Sequence, residues 1–566
     1  MFTSPSTSEL MNWTWADFEP RYQQLQKAEL NSANLADWIG GWSNTRSCLL
    51  EMQNRLYSAN TVNTADAEIE AKYKAYLDDI YPKAMAAEQT LKEKLLASGL
   101  EPAGFEIPLR NMRAEAELFR TENLPLLAQE QKLVMEHDKI TGSQTVMWEG
   151  EERTLDQMIP VRMNPDRPVR EKAWRMVAER VLADREALNK LWHEFFDLRM
   201  QIARNTGMEC YRDYRWKNYM RFDYTPADCR SFHQAIEAVV VPAASRIYAR
   251  RKERLGVDSL RPWDLDVDPF SRQPLRPYQD TPAFIAKTAA IFHKVDPVLG
   301  EHFEVMRKEG LLDLESRKNK AHGGYCIDYP LVRLPFIFMN AVGLHDNVQT
   351  LLHEGGHAFH VFESRGLPYV QQCDVTMEIA EVASMAMELL AAPYLTADQG
   401  GFYTPAEAAR ARIEHLEGNI LFWPYMAVVD AFQHWAYENP AQAVIPAECD
   451  AVWKDLTLRF MPGIDWSGLD DVLATGWHRK SHIYQVPFYY VEYGLAELGA
   501  VQIWRNALKD QAGAVASYRR ALALGGTRPL PQLYEAAGAR LAFDEKTLNE
   551  AVTLMETTIL DLEKVQ

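Results

Sequence analysis

The chain has 566 residues, of which 47% are hydrophobic, 25% charged and 11% aromatic. This is ordinary globular material, too long for one ordinary domain and apolar enough for a sizeable core. Its net charge of −18 argues against the basic face that duplex nucleic acid requires and reads first as solubility.

No apolar run approaches the roughly 18 residues of a membrane span. The opening residues, MFTSPSTSELMNWTW, have neither the basic nor the apolar region of a secretory signal. Six cysteines stand at 48, 210, 229, 326, 373 and 449, with no CxxC pair. A zinc ribbon and a thioredoxin site are therefore unsupported, and so few cysteines suggest reduced thiols. The expectation is a soluble, cytoplasmic protein with no nucleic-acid or membrane partner.

Residues 1–140 read as long amphipathic helices, with Ala65–Ala97 interrupted chiefly by Pro82. A short hairpin is expected from Thr145–Trp148 and Glu152–Leu155 around Glu149-Gly150. Helix returns over 168–205, with Trp174, Val177, Val181, Leu188 and Leu191 at helical spacing. Residues 256–283 hold Pro262, Pro269, Pro274 and Pro277 and read as a loop, a natural boundary or hinge. In residues 322–339, HGGYCIDYPLVRLPFIFM, two β-type runs appear, Gly324–Ile327 and Pro335–Phe338, joined by a turn at Pro330. Helix dominates from Asp346 onward, broken near Pro368, Pro405, Pro440 and Pro462. The expected fold is mainly α with a small β-sheet. The expected domains are an N-terminal helical domain with a short hairpin, 1–200, and a second domain, 201–566, completed by the C-terminal helices.

The central motif is His353-Glu354-Gly355-Gly356-His357. Two histidines four apart share a helix face, so both imidazoles reach one ion. The glutamate beside the first is placed to take a proton from a metal-activated water. The helix is expected independently: Asp346 as N-cap with Gln349 as capping-box partner, Val348, Leu351, Leu352, Phe359 and Phe362 as the apolar face, and Arg365, Gly366 and Pro368 as the stop. Two glycines cost such a helix about 1 kcal/mol each, which points to something approaching closely there. His478 and His482 are also four apart, but they enclose two cations and no glutamate, so they read as a non-metal pair. His345 and His360 read as packing or supporting groups.

A catalytic zinc site usually keeps three protein ligands and an open position. Helix is expected over Thr376–Leu390, and it carries Glu378, Glu381 and Glu388 as candidate ligands. The chemistry alone does not choose between them. Glu388 or Asp346 is the candidate for orienting a ligand imidazole through its other nitrogen.

Four blocks together resemble the thimet oligopeptidase and oligoendopeptidase F family of zinc metallopeptidases. They are Gly323–Asn340, His345–His360, the glutamate block EIAEVASMAMELL, and His482–Ala500, the last most similar to the Pz-peptidase A-like branch. The resemblance covers roughly 140–510. It implies Glu381, 24 residues beyond His357, as the third ligand, with one zinc per chain held by His353, His357 and Glu381. It also implies a two-lobed helical shell around a deep channel with the zinc on its floor, admitting short unstructured peptides. Glu354 is then the general base. His482 with Tyr489 or Tyr493 is expected to hold the oxyanion. Gly323, Gly324, Tyr325 and Tyr490 are expected to bind substrate, an extended peptide adding to a sheet edge offered by Gly323–Tyr325 and Pro335–Phe338. The expected activity is a zinc-dependent oligoendopeptidase. The alternatives are a metallo-carboxypeptidase, with Arg479, Lys480 or Arg333 on the substrate carboxylate, and a non-catalytic peptide-binding scaffold.

Overall fold

The structure, a computed structural model, describes residues 4–565 other than Arg272, Lys318 and His322. His322, which opens the expected β segment, therefore lies outside the described residues. The fold is mainly helical, with two small sheets among the described residues. Among the described residues no helix is long and apolar enough to cross a membrane.

The six helices that position the residues discussed below are α1 (Leu35–Val62), α2 (Pro226–Ala235), α3 (His345–Glu363), α4 (Met377–Ala391), α5 (Pro405–Glu438) and α6 (Val491–Ala507). The chain groups into two compact units. The first is Met1–Glu117, Arg276–Ala408 and Ala496–Leu541; the second is Leu118–Leu275, Ala409–Leu495 and Ala542–Gln566. One division, Leu275/Arg276, falls in the proline-rich stretch. Residue 200 lies inside a continuous helix, Arg185–Asn205.

In the second unit the hairpin forms as β1 (Thr145–Trp148) against β2 (Glu151–Thr154), with Trp148 paired to Glu151. Its two-residue turn takes positive φ at both Glu149 (53°) and Gly150 (87°), the backbone that matches the twist of paired strands. Residues 168–205 are helical as expected, in two helices split at Ala183-Asp184.

In the first unit, Pro82 does not end the helix around it. A π turn, Tyr76–Ile80, precedes Tyr81–Ser98, so the proline enters in the first turn, where no amide hydrogen is needed. The sheet of this unit has the order β3 (Leu312–Glu315), β5 (Leu334–Ala341), β4 (Tyr325–Tyr329). Strand β5 runs antiparallel to β4 and parallel to β3. Strand β3, LDLE, was not anticipated: four residues with two charges give no β pattern. Its presence corrects the expected edge. Ile337 and Phe338 pair on both sides, to Leu312 and Asp313 and to Cys326 and Tyr325, so that part of Pro335–Phe338 is central and the Gly323–Tyr325 side alone lies at the β4 edge.

Helix α3 follows β5. Its cap is not Asp346, which sits in the first turn, and Gln349 closes no capping box. The N-cap position is Leu344, and Asn347 in the first turn reaches back to it: its Oδ1 accepts from the Leu344 and Val342 amides at 3.0 and 2.8 Å and from the Tyr278 hydroxyl at 3.0 Å. That one oxygen satisfies amides at the helix entry that would otherwise lack partners.

Candidate metal centre

The two glycines of α3 explain how this centre is assembled. A Cβ on Gly356 would stand 2.4 Å from the Ala383 carbonyl oxygen and 2.6 Å from Ser384 Cα. Only glycine lets the backbone of α4 come this close. On Gly355 a Cβ would meet the Phe292 ring at 2.5 Å. The glycines that cost helix propensity thus admit α4 on one side and an aromatic ring on the other.

That approach carries Glu381 to the histidines. Its Oε2 lies 3.3 Å from His353 Nε2 and 3.6 Å from His357 Nε2. The imidazoles are one turn apart, with ring centroids 5.0 Å from each other. Two ligands of a tetrahedral zinc, each about 2.0–2.1 Å from the ion, stand roughly 3.3 Å apart. The donor set of two imidazole nitrogens and one carboxylate therefore fits zinc in kind and in spacing. The Ser384 hydroxyl donates to Glu381 Oε2 at 3.0 Å and fixes its rotamer.

Two turns beyond Glu381, Glu388 Oε1 lies 2.7 Å from His353 Nδ1. It accepts the Nδ1 proton and leaves Nε2 facing Glu381. Of the two expected supporting carboxylates, Glu388 makes this bond and Asp346 does not. Glu378, the third carboxylate of α4, is buried but stands outside the ligand group.

The electrostatics follow from burial among three carboxylates. Burial works against a charge on His353, but Glu381 and Glu388 outweigh it and raise its pKa well above the ordinary value. Burial drives His357 down to about 4. Burial resists ionisation of Glu381, but the two histidines and Ser384 draw its pKa below normal. Glu354 is 7% exposed, and burial pushes it up to about 7 against the pull of His353. The Cys326 amide of β4 donates to its carboxylate, a contact the sequence did not reveal.

The neighbouring histidines stay outside this group. His345 Nδ1 pairs with the Tyr403 hydroxyl at 2.7 Å, and His360 is buried and lowered to about 4. At the head of β4, Gly323 takes φ +92° and a Cβ on Gly324 would touch Thr350 and Phe338 at 3.4–3.5 Å. Tyr325 stacks on Phe338 with centroids 4.8 Å apart, and its hydroxyl bonds Thr61 of α1 at 2.5 Å. Arg333 is committed to the carbonyls of Arg365, Leu367 and Pro368, which counts against it as a receptor for a substrate carboxylate.

In the second unit, the four predicted aromatic and imidazole groups do come together. His482 lies 6.0, 5.0 and 6.1 Å, centroid to centroid, from Tyr489, Tyr490 and Tyr493. Tyr489 and Tyr493 are 5.3 Å apart. Lys480 donates to the Tyr490 hydroxyl at 2.9 Å, so that lysine too is engaged. Burial and the Lys480 charge lower His482 to about 4, and burial lowers Lys480 to about 8. His482 is neutral at pH 7. His478 bonds Asn189 at 2.8 Å. It belongs to a 3-10 turn, Gly476–Arg479, separate from the helix Ser481–Gln485, so it shares no helical face with His482.

The family described as Peptidase family M3 matches residues 161–553. Oligopeptidase PepF of Bacillus subtilis (strain 168) is 23% identical over 330 residues, which are 57% of this chain and 47% of that protein. The chain thus spans about half the length of this curated relative. The solved structure of PZ peptidase A with inhibitor 2 superposes with a TM-score of 0.88 at 28% identity, covering 100% of this chain and 99% of that one. Oligoendopeptidase-F from Enterococcus faecium shares the fold, with a TM-score of 0.60 at 14% identity over 97% and 98% of the two chains.

Proposed function

Because the chain belongs to peptidase family M3, we propose that it is a zinc-dependent oligoendopeptidase that hydrolyses internal bonds of short, unstructured peptides. The observation that carries this reading is the approach of Glu381 to both imidazoles, with the proton-binding Glu354 beside them. In the proposal His353, His357 and Glu381 hold one zinc, and Glu388 orients His353. A bound zinc supplies Lewis acidity, polarising the scissile carbonyl and easing ionisation of a water.

The remaining steps belong to the chain's own groups. Glu354 accepts the proton of the attacking water and delivers it to the departing amine. His482, neutral, and Tyr489 or Tyr493 donate to the oxyanion. The β4 edge at Gly323, Gly324 and Tyr325 takes the substrate backbone as an added strand, and Tyr490 contributes to substrate binding. A two-lobed helical shell around a deep channel belongs to the same reading and draws its support from family membership. A cytoplasmic setting draws support from six cysteines that form no disulfide.

The test is an internally quenched peptide of about ten residues, the upper end of ordinary strand lengths, blocked at both ends. Internal cleavage that a chelator abolishes and zinc restores is expected. Cleavage that requires a free C-terminal carboxylate would instead assign a carboxypeptidase.

A further inference from the structure

The second unit contains another set of metal-ligating side chains, none of them used above. Helix α2 presents Cys229 and His233 four residues apart, and α5 presents Asp430 and His434 at the same spacing. Residues so spaced share one helix face, and here two such faces meet. Ligand atoms of Cys229, Asp430 and His434 all lie within 4.8 Å of one another. His233 Nε2 donates to Asp430 Oδ2 at 2.8 Å, and His434 Nε2 stands 3.4 Å from the same oxygen.

The group lies in the interior. Cys229 and Asp430 are wholly buried and His434 is 3% exposed. His434 Nδ1 and Asp430 Oδ1 are buried with no hydrogen-bond partner, and His434 Nε2 has only the long 3.4 Å approach to Asp430 Oδ2. Interiors rarely leave such atoms unsatisfied, and two on one helix face, opposite the Cys229 thiol, point to a cation. We propose that Cys229, Asp430 and His434 bind a divalent transition metal, zinc in the first instance, at a three-donor site that links α2 to α5, with His233 as a positioning residue that holds the Asp430 carboxylate.

The chemistry balances. On binding, the Cys229 thiol releases its proton and a sulfur–metal bond forms. Thiolate and carboxylate together cancel the double charge of the ion, and neutral His434 adds a third donor, so no net charge is left in the core. Thiolate with imidazole selects zinc or a similar metal over magnesium or calcium. Trp216 and Phe488 close over His434, with centroids 5.8 and 5.3 Å away. Phe488 immediately precedes Tyr489, so the site underlies the tyrosine segment of its own unit.

The test uses the full chain carrying His353→Ala and His357→Ala, which removes the centre described earlier. After exchange into cobalt(II), this chain is expected to retain about one equivalent of metal, the ratio of a single site, and to show a thiolate-to-cobalt charge-transfer band in the near ultraviolet. Adding Cys229→Ser should abolish the band and lower Tm by several degrees, whereas Cys326→Ser should leave both unchanged. His434→Gln, which keeps the thiol, should release the metal with far-ultraviolet circular dichroism intact. His233→Ala should weaken binding about 10–100-fold without abolishing it, as loss of a supporting hydrogen bond does. Absence of metal from the His353→Ala/His357→Ala chain, or a band that survives Cys229→Ser, overturns the proposal. It stands independently of the peptidase reading: a wild-type chain with metal at Cys229 and none at His353 would break that reading and leave this one in place.

Discussion

At the scale of single residues, the candidate centre separates groups that hold a metal from groups that orient those holders. Glu388 touches His353 at the nitrogen facing away from Glu381. Glu388→Ala should therefore leave three ligands in place and weaken zinc binding by about 10–100-fold, measured by competition with a chromophoric chelator. Turnover at saturating zinc should change much less than affinity. Affinity equal to wild type would remove Glu388 from the centre. The sequence made His353, Glu354 and His357 legible because the chemistry lies within one helical turn. It left the third ligand open among Glu378, Glu381 and Glu388, which similar helical neighbours surround. Only the resemblance singled out Glu381, and only the structure distinguished Glu388 from Asp346 as the partner of His353. The Cys326 amide on Glu354 left no trace in the sequence, since a backbone donor has no residue type.

At the scale of elements, the close contact of α3 and α4 decides whether the ligands meet. Gly356→Ala should improve helix propensity by about 1 kcal/mol and still destabilise the protein, because its new Cβ meets the backbone of α4 and not a movable side chain. Overpacking of this kind costs about 1–3 kcal/mol, and it should lower zinc content by pushing Glu381 away. Gly418 in α5 is the control: it is exposed and has nothing within 4 Å of its Cβ position, so Gly418→Ala should be neutral or stabilising. Thermal unfolding with metal analysis measures both, and a Gly356→Ala protein as stable and as metal-rich as wild type would refute the packing argument. The misreadings at this scale share a cause. Asp346 is a good cap residue by type, but Asn347 reaches the free amides. Pro82 is a helix breaker by type, but the π turn before it re-phases the helix. LDLE is too short and too charged to read as a strand, and it becomes one because β5 offers it a partner.

For the whole molecule, each compact unit gathers three stretches distant in sequence. Hydrophobic periodicity reveals elements but not which distant elements share a core, so no boundary near residue 200 marks that grouping. Long-range burial also sets a pH dependence of stability. Asp328 of β4 is raised to about 6, by burial and then by Asp374. An acid whose folded pKa is raised adds no penalty below its ordinary value near 4. It destabilises the fold progressively as pH climbs toward the raised value, and the penalty then stays constant. Asp328→Asn, which retains a group for Asn54 to bond, should thus be near neutral at pH 4 and stabilising by about 1–3 kcal/mol at pH 7.5. Denaturant unfolding at the two pH values measures this, and equal effects at both would refute it.

The proposed chemistry places the metal and the base on neighbouring residues of one helix, and a single substitution separates them. Glu354→Gln keeps the shape and all three ligands and removes only the proton acceptor. Zinc content and turnover of the blocked peptide, measured on the same folded sample, are predicted to part: zinc unchanged, turnover reduced by about 10²–10⁴-fold, the range of a general base. A zinc-loaded, folded Glu354→Gln protein that cleaves as fast as wild type would contradict the account.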